Sequence, residues 1–185
     1  MQTFLIATAA VALAEIGDKT QLLSLVLAAK YRKPWPIVLG ILVATLANHA
    51  LAGGLGALVA QWFTPHVLRW IVGLSFLAVA AWTLVPDRID DDESRPHANH
   101  GVFLATLVCF FLAEMGDKTQ VATVVLAAQY HPLWQVVTGT TIGMLLANAP
   151  VVWLGARFAT RLPLKATRIA AATLFALLGA WILLR

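Results

Sequence analysis

Eight residues occur twice in this chain with one difference, as AEIGDKTQ over 14–21 and as AEMGDKTQ over 113–120. Each copy lies inside a long apolar run, and each brings two carboxylates and a lysine into it. On insertion scales a carboxylate at the centre of a membrane helix costs about 2.5–3.5 kcal/mol. Any fold of this chain must therefore accommodate the same charged segment twice in apolar surroundings.

The surrounding runs set the fold class. Residues are 60% hydrophobic, mean hydropathy is +0.80, and charged residues make up 12%. A soluble domain carries about 25% charged residues. A helix crosses the hydrocarbon core with about 20 apolar residues. Such runs fall near 2–28, 35–60, 66–86, 101–128, 133–156 and 164–184. The expected fold is an all-α integral membrane protein with six transmembrane helices. The first run has no basic segment before it and ends in Glu15, so it reads as a span and not as a cleaved signal peptide. The single cysteine, Cys109, sits in an apolar run and reads as a buried small hydrophobe.

The spans divide into two repeats, 1–86 and 101–185, joined by an acidic linker over 87–100. An offset of 99 takes Glu15 to Glu114, Asp18 to Asp117, Tyr31 to Tyr130, Gly40 to Gly139 and Gly56 to Gly155. A duplicated unit with three spans must enter the membrane in opposite orientations, which is the inverted-repeat plan of many transporters. Loop charge gives the direction. Lys30, Arg32, Lys33, Arg88, Arg95, Arg157, Arg161, Lys165 and Arg168 fall on one side, against Arg69 and Arg185 on the other. The positive-inside rule then makes the linker cytoplasmic and leaves both termini outside.

Of the nine acidic residues, five lie in the linker, and the other four are Glu15, Asp18, Glu114 and Asp117. Ionisable groups inside spans are functional candidates. On a continuous helix Glu15 and Asp18 share a face, about 60° apart, and Gln21 continues that edge. Glu114, Asp117 and Gln120 repeat it. Gly17 and Gly116 either let two helices approach closely or mark a break in each. If the two edges face each other, four carboxylates and amide oxygens form a cage for a hard or borderline divalent cation such as Mn²⁺ or Ca²⁺. Mg²⁺ sheds its water too reluctantly to fit as well.

Lys19 and Lys118 stand four residues after Glu15 and Glu114, the favourable order for a helical ion pair. That pairing would leave Asp18 and Asp117 without partners, and the bland alternative is a patch that only packs helices. Four carboxylates and two lysines sum to −2, which one divalent cation neutralises. Without the cation, crowded carboxylates in a low dielectric take up protons. The expected activity is cation/proton exchange.

Asn48 and Asn148 are matched amides, either ligands or interhelical hydrogen-bond donors. Thr20 and Thr119 fall on the far side of an ideal helix from the glutamates and are expected to bond a carbonyl one turn back. Ser24 and Thr123 are matched, and His49 has no counterpart. The chain shows no phosphate loop, no zinc spacing and no nucleophile–base pair, so it reads as a transporter and not an enzyme. The net charge of +4 belongs to the loops and does not indicate nucleic acid. The partners expected are the bilayer, a divalent ion and protons, with a homodimer as an option. Two other readings compete: an exporter of a small organic cation such as an amino acid, and a non-transporting membrane scaffold.

The segments EIGDKT (15–20) and EMGDKT (114–119) resemble the E-x-G-D-[KR]-[TS] signature of the Gdt-type family. That family includes the Golgi transmembrane protein 165 and small bacterial manganese exporters of the MneA type. The resemblance covers both motifs, the three-plus-three plan and the acidic central loop. It implies a transporter of Mn²⁺, and sometimes Ca²⁺, in exchange for protons, with no cofactor. It carries Glu15, Asp18, Glu114 and Asp117 over as the metal and proton site. The compact length fits a manganese exporter of a bacterial inner membrane.

Overall fold

The computed structural model describes residues 1–85, 101–154 and 164–185. The described residues are all-helical: α1 (Gln2–Glu15), α2 (Lys19–Tyr31), α3 (Pro34–Ala60), α4 (Pro65–Thr83), α5 (Val102–Glu114), α6 (Lys118–Gln129), α7 (Leu133–Leu154) and α8 (Leu164–Leu184). The linker expected over 87–100, the basic residues Arg157 and Arg161, and Gly155 lie outside the described residues.

Four helices, α3, α4, α7 and most of α8, are long and apolar enough to cross a membrane. The two runs that carry the repeated motif are not single helices. The run over 2–28 is split into α1 and α2, and the run over 101–128 into α5 and α6. Each piece has 12 to 14 residues. At about 1.5 Å per residue, two such pieces in series reach across a core of about 30 Å.

The breaks have a local cause. Gly17 and Gly116 have φ of +83° and +74°, a conformation that costs other residues about 1–2 kcal/mol. A Cβ built at Gly116 meets nothing within 4 Å. Of the two roles open to this glycine, the structure therefore selects the break and not close packing. Gln21 and Gln120 brace the turns, their Oε1 atoms accepting from the amides of Gly17 (2.9 Å) and Gly116 (2.7 Å). These glutamines support the backbone of the break, where a continuous helix would have made them an extension of the carboxylate edge.

Packing interlocks the two ends of the chain. The α1–α2 pair lies on α7, the α5–α6 pair on α3, and α4 against α8. Close approach is achieved at other glycines. A Cβ at Gly56 would overlap the Val124 carbonyl oxygen, and one at Gly139 or Gly143 would come within 2.7 Å of the α1 backbone. Phe76 and Phe175 stack at 6.1 Å between α4 and α8.

The distribution of polarity is inverted relative to a water-soluble protein. Glu15, Asp18, Asn48, His49, Glu114, Lys118 and Asn148 are buried, while Leu51, Leu55, Leu58, Leu74, Leu146 and Leu177 are more than half exposed. Such a surface suits a hydrocarbon solvent, where polar groups must find partners inside. All seven tryptophans are exposed, several of them at helix ends, as interfacial anchors are. Cys109 is free and buried, as expected.

Candidate metal centre

Glu15 is the last residue of α1 and Asp18 is the N-cap of α2; Glu114 and Asp117 hold the same places in α5 and α6. The pairs therefore do not line one helical face. The chain turns between the two members of each pair, which brings helix ends, and not helix sides, to the centre. Neither aspartate makes the N-cap bond to its own helix that its position invites.

The lysines settle where those aspartates go. Lys118 Nζ donates to Asp18 Oδ1, and Lys19 Nζ lies 3.8 Å from Asp117 Oδ1. These ion pairs cross between the two motifs, against the bland alternative of motifs neutralised internally by Glu15–Lys19 and Glu114–Lys118 pairs with the aspartates left over. An i, i+4 pair needs an unbroken helix, and the turn at 16–18 or 115–117 removes it. Lys118 is 3% exposed and Lys19 15%, so both stand at the charged centre and not outside it.

The threonines are also relocated. Thr20 Oγ1 donates to Glu15 Oε2 at 2.5 Å, and Thr119 Oγ1 donates to Glu114 Oε2 at 3.0 Å. The expectation of a carbonyl one turn back fails for both, because the break folds each threonine over its own glutamate. Thr123 does make that backbone bond, to Thr119 O. Sequence spacing alone could not reveal the threonine–glutamate bonds. Their signal was the glycine between them, read as a left-handed turn.

Ligand atoms of Glu15, Glu114 and Asp117 lie within 4.8 Å of one another, and all three residues are buried. Asp18 is outside this trio, held by Lys118. The Oε1 atoms of Glu15 and Glu114 are buried without a hydrogen-bond partner. Each glutamate thus has one oxygen fixed by a threonine and one open. The amides lie around this core. Gln21 Nε2 donates to Ala147 O (2.9 Å), Ser24 Oγ to Asn148 Oδ1 (2.8 Å) and Asn48 Nδ2 to Phe111 O (3.0 Å). Asn48 and Asn148 therefore tie the two ends of the chain together. His49, in α3 beside Asn48, is buried with neither ring nitrogen bonded.

Comparison with known proteins adds an independent line. The family described as "Divalent cation/proton antiporter GDT1" matches residues 3–91 and 102–185. A Vibrio cholerae protein carrying the provisional name of manganese exporter is 52% identical over 180 residues, covering 97% of this chain and 89% of that protein. A GDT1-like protein of Synechocystis sp. is 26% identical over 89% of the chain and 88% of its own length. GDT1-like protein 5 of Arabidopsis thaliana is 25% identical over 97% of the chain and 94% of its own. No solved structure matches.

Proposed function

The chain belongs to the GDT1 family of divalent cation/proton antiporters, and from that premise we propose that it exports Mn²⁺ in exchange for protons. Glu15, Glu114 and Asp117 are the proposed ligands, with Asp18 as the fourth carboxylate of the centre. One observation carries this reading: buried carboxylate oxygens from both motifs lie within 4.8 Å of one another. Oxygens bound on opposite sides of one Ca²⁺-sized ion, at 2.3–2.6 Å each, stand about 5 Å apart. The cluster has the spread of a single coordination sphere, and all-oxygen sites suit Mn²⁺ and Ca²⁺. The 52% identical relative is named for manganese, which favours Mn²⁺ over Ca²⁺ as cargo.

The charge balance supports exchange. Four carboxylates and two lysines sum to −2, and both lysines contact the aspartates. One divalent cation or two protons bring the centre to neutrality, so the cation and the protons are alternative occupants of the same oxygens. Thr20 and Thr119 hold one oxygen of each glutamate in place whichever is bound.

In this reading the protein has six spans, two of them the broken pairs α1–α2 and α5–α6, arranged as inverted repeats in a bacterial inner membrane. The termini face outward and the linker is cytoplasmic. The loop charges, nine against two, support that orientation. Membership of an antiporter family takes the place of the organic-cation and scaffold readings.

The test is Mn²⁺ uptake by vesicles reconstituted with the protein, with Ca²⁺ and Mg²⁺ in parallel, with and without an imposed pH gradient. Mn²⁺ uptake driven by the gradient is expected, and Glu15→Gln should abolish it. Uptake indifferent to the gradient overturns proton exchange. Wild-type uptake by both Glu15→Gln and Asp117→Asn overturns the site.

A further inference from the structure

A second site lies away from the carboxylates. A cavity of about 580 Å³ opens where the start of α4 meets the ends of α6 and α8. Along α6, from Lys118 to Gln129, it stands roughly 17 Å from the carboxylate centre at about 1.5 Å per residue.

Its charged side chains are cationic. Arg69 of α4 and Arg185 at the end of α8 line it, together with His66, Tyr130 and His131. Among the described residues, no aspartate or glutamate lines it. The positive end of the α4 dipole points here, since α4 begins at Pro65 on the cavity wall, and the negative ends of α6 and α8 lie here too, so the cationic character rests on the side chains.

Arg69 is partly buried and Arg185 exposed. Arg69 Nε is buried and has no hydrogen-bond partner. A ligand in the cavity would therefore meet the terminal nitrogens of the guanidinium, whose planar fork matches a phosphate or carboxylate group. Trp181, also on the wall and 64% exposed, is the kind of residue that marks the headgroup level of a bilayer. The His131 carbonyl accepts from Thr3 Oγ1 at 3.1 Å.

We propose that this cavity binds a phosphate-bearing anion, met at the membrane face as the headgroup of an anionic phospholipid or as free phosphate. Arg69 and Arg185 are its charged ligands, and His66, His131 and Tyr130 supply further hydrogen bonds. The site is separate from the exchange chemistry and does not rest on it.

The test is native mass spectrometry of the full chain in detergent, titrated separately with phosphatidylglycerol, phosphatidylcholine and inorganic phosphate. Wild type is expected to bind phosphatidylglycerol in preference to phosphatidylcholine. The Arg69→Gln/Arg185→Gln double variant should bind it about tenfold more weakly. Lys33→Gln, an exposed change at the start of α3 and away from the cavity, should bind as wild type. Arg69→Lys/Arg185→Lys keeps both charges and should fall between wild type and the glutamine variant, which separates lost charge from a damaged fold. Inorganic phosphate that displaces the lipid identifies free phosphate as a ligand of the same site. Lipid that phosphate does not displace identifies the headgroup. Equal phosphatidylglycerol binding by wild type and the glutamine variant overturns the proposal, as does identical weakening in the lysine and glutamine variants.

Discussion

Lys118 donates to the carboxylate of Asp18, 100 residues earlier in the chain, and not to Glu114 four residues before it. Lys19 approaches Asp117 in the reciprocal way, at 3.8 Å. Each motif therefore supplies the cation that neutralises part of the other. The centre is complete only when both segments are in place.

This crossing predicts unequal costs for two matching substitutions. Removing one member of a buried ion pair costs about 3–5 kcal/mol, because the other charge stays buried. Asp18→Asn, which strips a partner from the nearly inaccessible Lys118, should therefore lower thermal stability in detergent more than Asp117→Asn, whose lysine is 15% exposed. The double variant Asp18→Asn/Lys118→Met should recover most of the lost stability. Equal melting temperatures for the two single variants would contradict the asymmetry.

Thr20 and Thr119 bond the glutamates, which are the cation's ligands in the proposed site. Loss of a hydrogen bond that orients a metal ligand usually weakens metal binding about 10–100-fold. Thr20→Val should raise the apparent KM for Mn²⁺ by at least about tenfold at unchanged melting temperature, and Thr20→Ser should restore it. A Thr20→Val protein with wild-type KM would show that the 2.5 Å bond has no part in holding Glu15.

Two glycines should fail for different reasons. Gly116→Ala meets no neighbour, so its cost is the left-handed backbone alone, about 1–2 kcal/mol. Gly56→Ala would drive a methyl into the Val124 carbonyl and separate α3 from α6. It should destabilise more and should reduce the yield of folded protein. Thermal denaturation of the purified variants distinguishes the two.

Protons and the cation compete for the same oxygens in the proposed exchange. Raising the proton concentration on the loading side should therefore raise the apparent KM for Mn²⁺, and raising the pH should lower it. In Glu15→Asp, which keeps the charge, the dependence should persist. Residual Mn²⁺ binding to Glu15→Gln, followed by isothermal titration calorimetry, should release about one proton fewer per ion than wild type. The same proton release from both proteins would remove Glu15 from the proton site.

Much of this was legible in the residues. The apolar runs gave an all-helical membrane protein. The duplicated octapeptide singled out Glu15, Asp18, Glu114 and Asp117, since these were the acidic residues that composition could not explain as linker. Even the fault line was marked, because a glycine stood between each glutamate and its aspartate.

What sequence reading could not do was choose between a continuous helix and a broken one, and every spacing argument depended on that choice. With a helix assumed, Glu15 pairs with Lys19, and Thr20 points away. With Gly17 at φ +83°, the same residues give a Thr20–Glu15 bond and a lysine aimed at the other motif. The sequence by itself determined which charges are inside the membrane protein and that they come in two matched sets. Only the tertiary structure decided which charge meets which. Local periodicity describes neighbours along one helix, whereas these pairs form between helix ends brought together from segments about a hundred residues apart.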